Sequence, residues 1–252
     1  MRRLTAREIV AVWDAGTGRS AAGRVLATVS ACLPDWSVAE LAALPLGFLD
    51  ALLLELHGAT FGRQLNSISA CPHCGVRVEF SISLADLPAR PNVEDMAAPP
   101  APLTMLAQGL SVTYRLPDST DLDAIAAVAD PETAVAMLAR RCVLSVRPAD
   151  GSGRLEGGAD DGPLPAELID DLEAEMARRQ PWADIEVALI CPSCGAGWQS
   201  GVDVGTFVWA EIESEGRRLL YEVDALARMY GWSERDILDM TPVRRQRYLE
   251  MA

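Results

Sequence analysis

Apolar residues recur every three or four positions through the first sixty residues, switch to every second position, and return to the helical period in the tail. Thr5 and Glu8 form a capping-box pair, after which Ile9, Val12 and Trp13 fall on one face. Beyond the break at Gly16-Thr17-Gly18, Ser20 is placed to cap a second helix with Ala22, Val25, Leu26 and Val29 inward. Ser37 and Glu40 repeat the box over a short helix. Pro45 opens a fourth, running over Leu46, Leu49, Leu53 and Leu56 to a stop at Gly58. These stripes predict a helical bundle over residues 1–66.

From about Ser67 the period becomes two, and residues 67–87 read as strands flanking a turn. Residues 88–182 read as an insertion. It begins with a linker over 88–102 that carries Pro88, Pro91, Pro99, Pro100 and Pro102. A hairpin follows over Leu103–Leu116, turning at Gln108-Gly109, then helices around Asp121–Ala129 and Pro131–Arg141 and a strand over Cys142–Val146. A Gly-rich acidic loop over 148–163 and a helix from Pro165 to Arg179 complete it. Residues 183–210 return to strand patterning. The tail, 211–252, is helical from Glu211, with Leu219, Val223, Leu226 and Tyr230 on one face and Gly231 as the stop. Ser233 with Asp236 and Thr241-Pro242 then start two short helices. The predicted class is α+β: helical N- and C-terminal regions around a zinc-ribbon-like β region, with a long α/β insertion inside it.

The chemistry concentrates in two hooks, Cys71-Pro72-His73-Cys74-Gly75 and Cys191-Pro192-Ser193-Cys194-Gly195. Two residues between thiolates let both sulfurs face one ion, and the glycine permits the tight turn behind the second cysteine. Two such hooks supply the four soft ligands of a closed tetrahedral Zn²⁺ site, so Cys71, Cys74, Cys191 and Cys194 are the expected metal ligands. Positions 75–190 separate them, far more than in an ordinary ribbon. Two rival readings stand beside structural zinc: a redox pair, since C-P-H-C also occurs in thiol–disulfide oxidoreductases, and cysteines that are unligated or joined in disulfides. Strand patterning after Cys74 weighs against the redox reading, because a low-pKa thiolate of that type sits at a helix N-terminus. His73 is expected beside the site and His57 at the end of an apolar helix. With two histidines in the chain, a histidine metal site or catalytic triad has little to draw on.

Half the residues are hydrophobic, enough for real cores, and the net charge is −14. That sign opposes binding to a phosphate backbone. Arg244, Arg245 and Arg247 make one small basic cluster, expected to complement helix C-termini rather than touch nucleic acid. Cys32 and Cys142 read as small apolar fillers in a reducing compartment. Arg2-Arg3 runs straight into a polar helix start and Leu52–Leu54 is flanked by Asp50 and Glu55, so neither a signal peptide nor a membrane span is expected. The expected localisation is cytoplasmic. No phosphate loop, nucleophile–base pair or open three-ligand metal site stands out, so no enzyme and no small-molecule substrate are expected. The acids Asp160, Asp161, Asp170, Asp171, Glu173 and Glu175 read as solvated surface.

Three stretches together resemble the baseplate hub and assembly proteins of contractile-tailed phages and phage-derived contractile injection systems. They are the opening Leu4–Asp14, the paired C-P-x-C-G hooks, and the tail with Glu222–Ala227, Tyr230-Gly231-Trp232-Ser233-Glu234, Ile237-Leu238 and Arg244-Arg245-x-Arg247-Tyr248-Leu249. Residues 88–180 carry no recognisable motif. The resemblance implies a non-catalytic structural or assembly role, with other baseplate or tail proteins as partners. The alternatives are a zinc-ribbon module for nucleic acid or transcription machinery, marked by salt-sensitive retention on DNA or RNA, and a thiol oxidoreductase, marked by a reactive Cys71.

Overall fold

The computed structural model describes residues 2–87, 100–150 and 164–251. The expected Pro-rich linker over 88–102 and Gly-rich loop over 148–163 lie largely outside them, as do Asp160 and Asp161. The fold is α+β. Ten helices and seven strands are described.

Local signals place the first helices. Thr5 accepts from the Glu8 N–H, and the Glu8 side chain reaches back, fixing α1 (Ala6–Gly16). Ser20 caps α2 (Ala21–Ser30), and Ser37 with Glu40 boxes α3 (Val38–Ala42). Pro45 precedes α4 (Leu46–Thr60), whose Leu49, Leu52, Leu53, Leu54 and Leu56 are fully buried. This helix runs through Gly58 instead of stopping there. Gly58 is a packing site: a Cβ would lie 2.9 Å from Leu84 Cδ1.

Two antiparallel hairpins carry the hooks. The first joins β1 (Gln64–Ala70) to β2 (Arg77–Ser83), so alternation starts before Ser67. The second joins β6 (Glu186–Ile190) to β7 (Gly197–Gly201). Leu65, Ile82, Leu84 and Ile185 root the hairpin bases in the main core, among Leu residues of α4 and the inward face of α8 (Val204–Tyr230).

Between the hairpins, β3 (Leu103–Ala107), β4 (Leu110–Tyr114) and β5 (Val143–Pro148) form a three-stranded antiparallel sheet in that order. The expected turn at Gln108-Gly109 is present, both residues at positive φ (52° and 72°). Against this sheet lie α6 (Pro131–Cys142) and α7 (Ala166–Arg179), sharing a second core of Val112, Tyr114, Val143, Leu168 and Leu172. The intervening α5 (Ser119–Ile125) is shorter than its apolar pattern. Hydrogen bonds tie this unit to the body: Leu46 N–H donates to Pro117 O (2.9 Å), and Ser119 Oγ donates to Ala42 O (3.0 Å).

The tail begins earlier than Glu211. Asp203 caps α8 through the Thr206 N–H, and Val204, Val208 and Ile212 continue the apolar stripe of Leu219 and Leu226. Gly231, at φ 70°, ends it. Then come α9 (Glu234–Leu238), capped by Ser233, and α10 (Pro242–Glu250), capped by Thr241. Among the described residues, no helix is long and apolar enough to cross a membrane.

Candidate metal centre

Each hook forms the turn that closes its hairpin, and the two are built alike. In the first, Gly75 N–H donates to Cys71 O and Cys71 N–H to Val76 O, both 2.9 Å. In the second, Gly195 N–H donates to Cys191 O (3.0 Å) and Cys191 N–H to Ala196 O (2.9 Å). Gly75 and Gly195 share a φ of +74° with open space where a Cβ would sit. Glycine is therefore demanded by the backbone angle, not by crowding.

The fold brings the hooks together. Cys71 Sγ lies 3.7 Å from Cys194 Sγ, and Cys74 Sγ lies 3.6 Å from Cys191 Sγ. All four sulfurs fall within 4.8 Å of one another. These separations exceed a covalent S–S bond of about 2.05 Å, and the cysteines are free thiols. A tetrahedron with Zn–S bonds of about 2.3 Å has S···S edges of about 3.8 Å, so the donor set fits a soft dication in both kind and spacing. Cys71 and Cys191 are buried, whereas Cys74 and Cys194 are exposed. Ser200 Oγ donates to Ser69 Oγ across the hairpins (3.1 Å), a second link between them.

The sulfurs are electrostatically unlike. The Cys194 N–H lowers the Cys191 thiol to about 6 against desolvation, with help from the Ser193 N–H. The Ala196 N–H favours the Cys194 anion, yet desolvation and its three sulfur neighbours push that thiol up to about 12. Four thiolates this close repel one another, and a bound cation is what permits all of them to ionise. Cys32 and Cys142 stand apart, and desolvation by burial raises their thiols to about 11 and about 12. His73 is exposed in its hook, and His57 is buried in the main core.

Arg245 and Glu175 are not the surface groups that the sequence suggests. Arg245 is 1% exposed: its Nε donates to Glu222 (2.7 Å) and Nη1 to Met240 O (2.7 Å). The exposed basic cluster thus reduces to Arg244 and Arg247. Glu175 is buried too, holding Arg179 (2.9 Å), Arg178 and the Tyr114 hydroxyl. A signal for Arg245 is its spacing on α10, three and four positions before the half-buried Tyr248 and Leu249.

A family model described as T4 bacteriophage base plate protein matches residues 20–203. The chain belongs to that family. No curated protein and no solved structure matches it. The match gives this baseplate protein a structural role in a phage particle, in contact with other tail or baseplate proteins. It spans both hooks and the motif-poor 88–180 stretch, and leaves out the Leu4–Asp14 opening and the tail on which the sequence resemblance leaned.

Proposed function

We propose that this chain is a non-enzymatic hub or assembly component of a contractile baseplate, in a phage or a phage-derived injection system. Cys71, Cys74, Cys191 and Cys194 hold one structural Zn²⁺, which pins the two hairpins together. The observation that carries the reading is the set of four sulfurs at tetrahedral spacing, assembled from distant hooks in a baseplate-family chain. The ion supplies a cross-link and charge compensation; the hooks supply a closed shell with no place for substrate.

Metal analysis of reduced protein purified without chelator is expected to return about one zinc per chain, and much less would overturn the metal half. Alkylation should be slow until a chelator is added, the reverse of a redox enzyme. Mass spectrometry of purified tail particles is expected to find the chain or its bound partners; neither would overturn the baseplate half.

A further inference from the structure

A cavity of about 540 Å³ opens between the helical body, α5 and the second hairpin. Its apolar wall includes Val25 of α2, Leu49 of α4, Leu122 of α5 and Trp209 of α8. Its charges are Asp50, Asp184 and Asp203 against one cation, Arg24. The half-buried Asp50 carboxylate has no hydrogen bond or ion pair among the described residues. Asp203 spends its two oxygens on the Thr206 N–H and hydroxyl, both 2.8 Å. Arg24 does not neutralise the acids: its guanidinium lies over the Trp209 ring at 5.1 Å, and its buried Nε has no partner. A carboxylate set in an apolar wall without a donor costs stability and gives no internal contact in return. Desolvation first, and the Asp203 charge second, push its carboxyl up to about 7.

We propose that this cavity is a socket for a basic side chain, flanked by aliphatic residues, presented by a partner baseplate protein. The inference rests on the baseplate reading, in which the chain works through contacts with other chains. Charge complementarity selects the guest. An arginine or lysine stem would lie along Val25 and Leu122 while its head meets Asp50, with Asp203 and Asp184 adding field at the mouth.

The test uses the full chain labelled with 5-fluorotryptophan, its Trp209 resonance assigned by Trp209→Phe. Acetyl-Leu-Arg-Leu-amide and acetyl-Leu-norleucine-Leu-amide are titrated as probes. The arginine peptide is expected to bind about tenfold tighter. Asp50→Asn should abolish that preference without lowering the melting temperature. Asp203→Ser, which keeps a good helix cap, should weaken it in the same direction. Equal affinities, no binding, or an indifferent Asp50→Asn would overturn the socket, as would self-association of the parent that Asp50→Asn abolishes. In purified particles, selective loss of the Asp50→Asn chain supports the socket, and equal incorporation of both chains overturns it while leaving the baseplate role intact. Absence of the parent chain itself counts against the baseplate role, and the peptides then decide the socket independently.

Discussion

His57 is 1% exposed, wedged between the Phe61 and Phe207 rings at 5.5 and 5.4 Å, and neither ring nitrogen has a well-formed hydrogen bond. Desolvation lowers its pKa below the ordinary 6.5, offset only in part by the Gly62 backbone, so the folded chain favours the neutral ring. Its contribution is whole above 6.5 and is lost as pH falls below that value, where the unfolded chain takes up the proton first. In an Asp50→Asn background, which removes the opposing titration of that carboxyl, denaturant unfolding between about pH 8 and 5 should show this slope, and His57→Leu should flatten it. Asp50 has the opposite sign. Its raised carboxyl destabilises the fold above about pH 7, and that cost fades as pH falls toward about 4. Asp50→Asn is therefore expected to stabilise at about pH 7.5 by about 1–3 kcal/mol, with no gain near about pH 4. The Arg245–Glu222 pair should behave as a buried ion pair when one partner is removed. Arg245→Met is expected to cost about 1–3 kcal/mol, because Arg218 still pairs with Glu222, and to speed amide exchange in α9 and α10. Cap residues such as Thr5, Ser20 and Ser37 are legible in the sequence because each acts within one turn. Asp50, Glu175 and Arg245 are not, because their surroundings come from distant elements.

Among elements, α1 and α8 show how closely packing follows the smallest side chains. The Trp209 ring of α8 lies over Gly16, where a Cβ would come within 2.3 Å of it, and Trp13 of α1 lies over Gly216, where the distance is 2.7 Å. Alanine normally favours a helix by about 1 kcal/mol over glycine, but here the buried ring must move. Gly16→Ala is expected to destabilise by about 1–3 kcal/mol and to shift the Trp209 resonance of the 5-fluorotryptophan-labelled chain. The start of α8 is hidden in the sequence for a different reason. Asp203 is a cap signal within a stretch of alternating residues, so the period-two pattern masks the helix until its stripe resumes. Gly58 misleads in the other direction, since a glycine that admits Leu84 looks in sequence like one that ends a helix.

For the whole molecule, the hooks and the α+β class are readable because C-P-x-C-G and the hydrophobic periods are local. Which sulfur meets which is not, since it depends on two hairpins rooted in one core. With the proposed clamp in place, Cys194→Ala or chelation should lower the melting temperature by roughly 10 °C or more and increase exchange in both hairpins together. A change confined to the second hairpin would argue that the hooks act separately. The same wide spacing has a consequence during translation. At about 5–20 residues per second, Cys71 and Cys74 leave the ribosome on the order of ten seconds before Cys191 is made. For that interval the nascent chain exposes an incomplete thiol pair, and the body cannot be clamped until the second hook has followed it out.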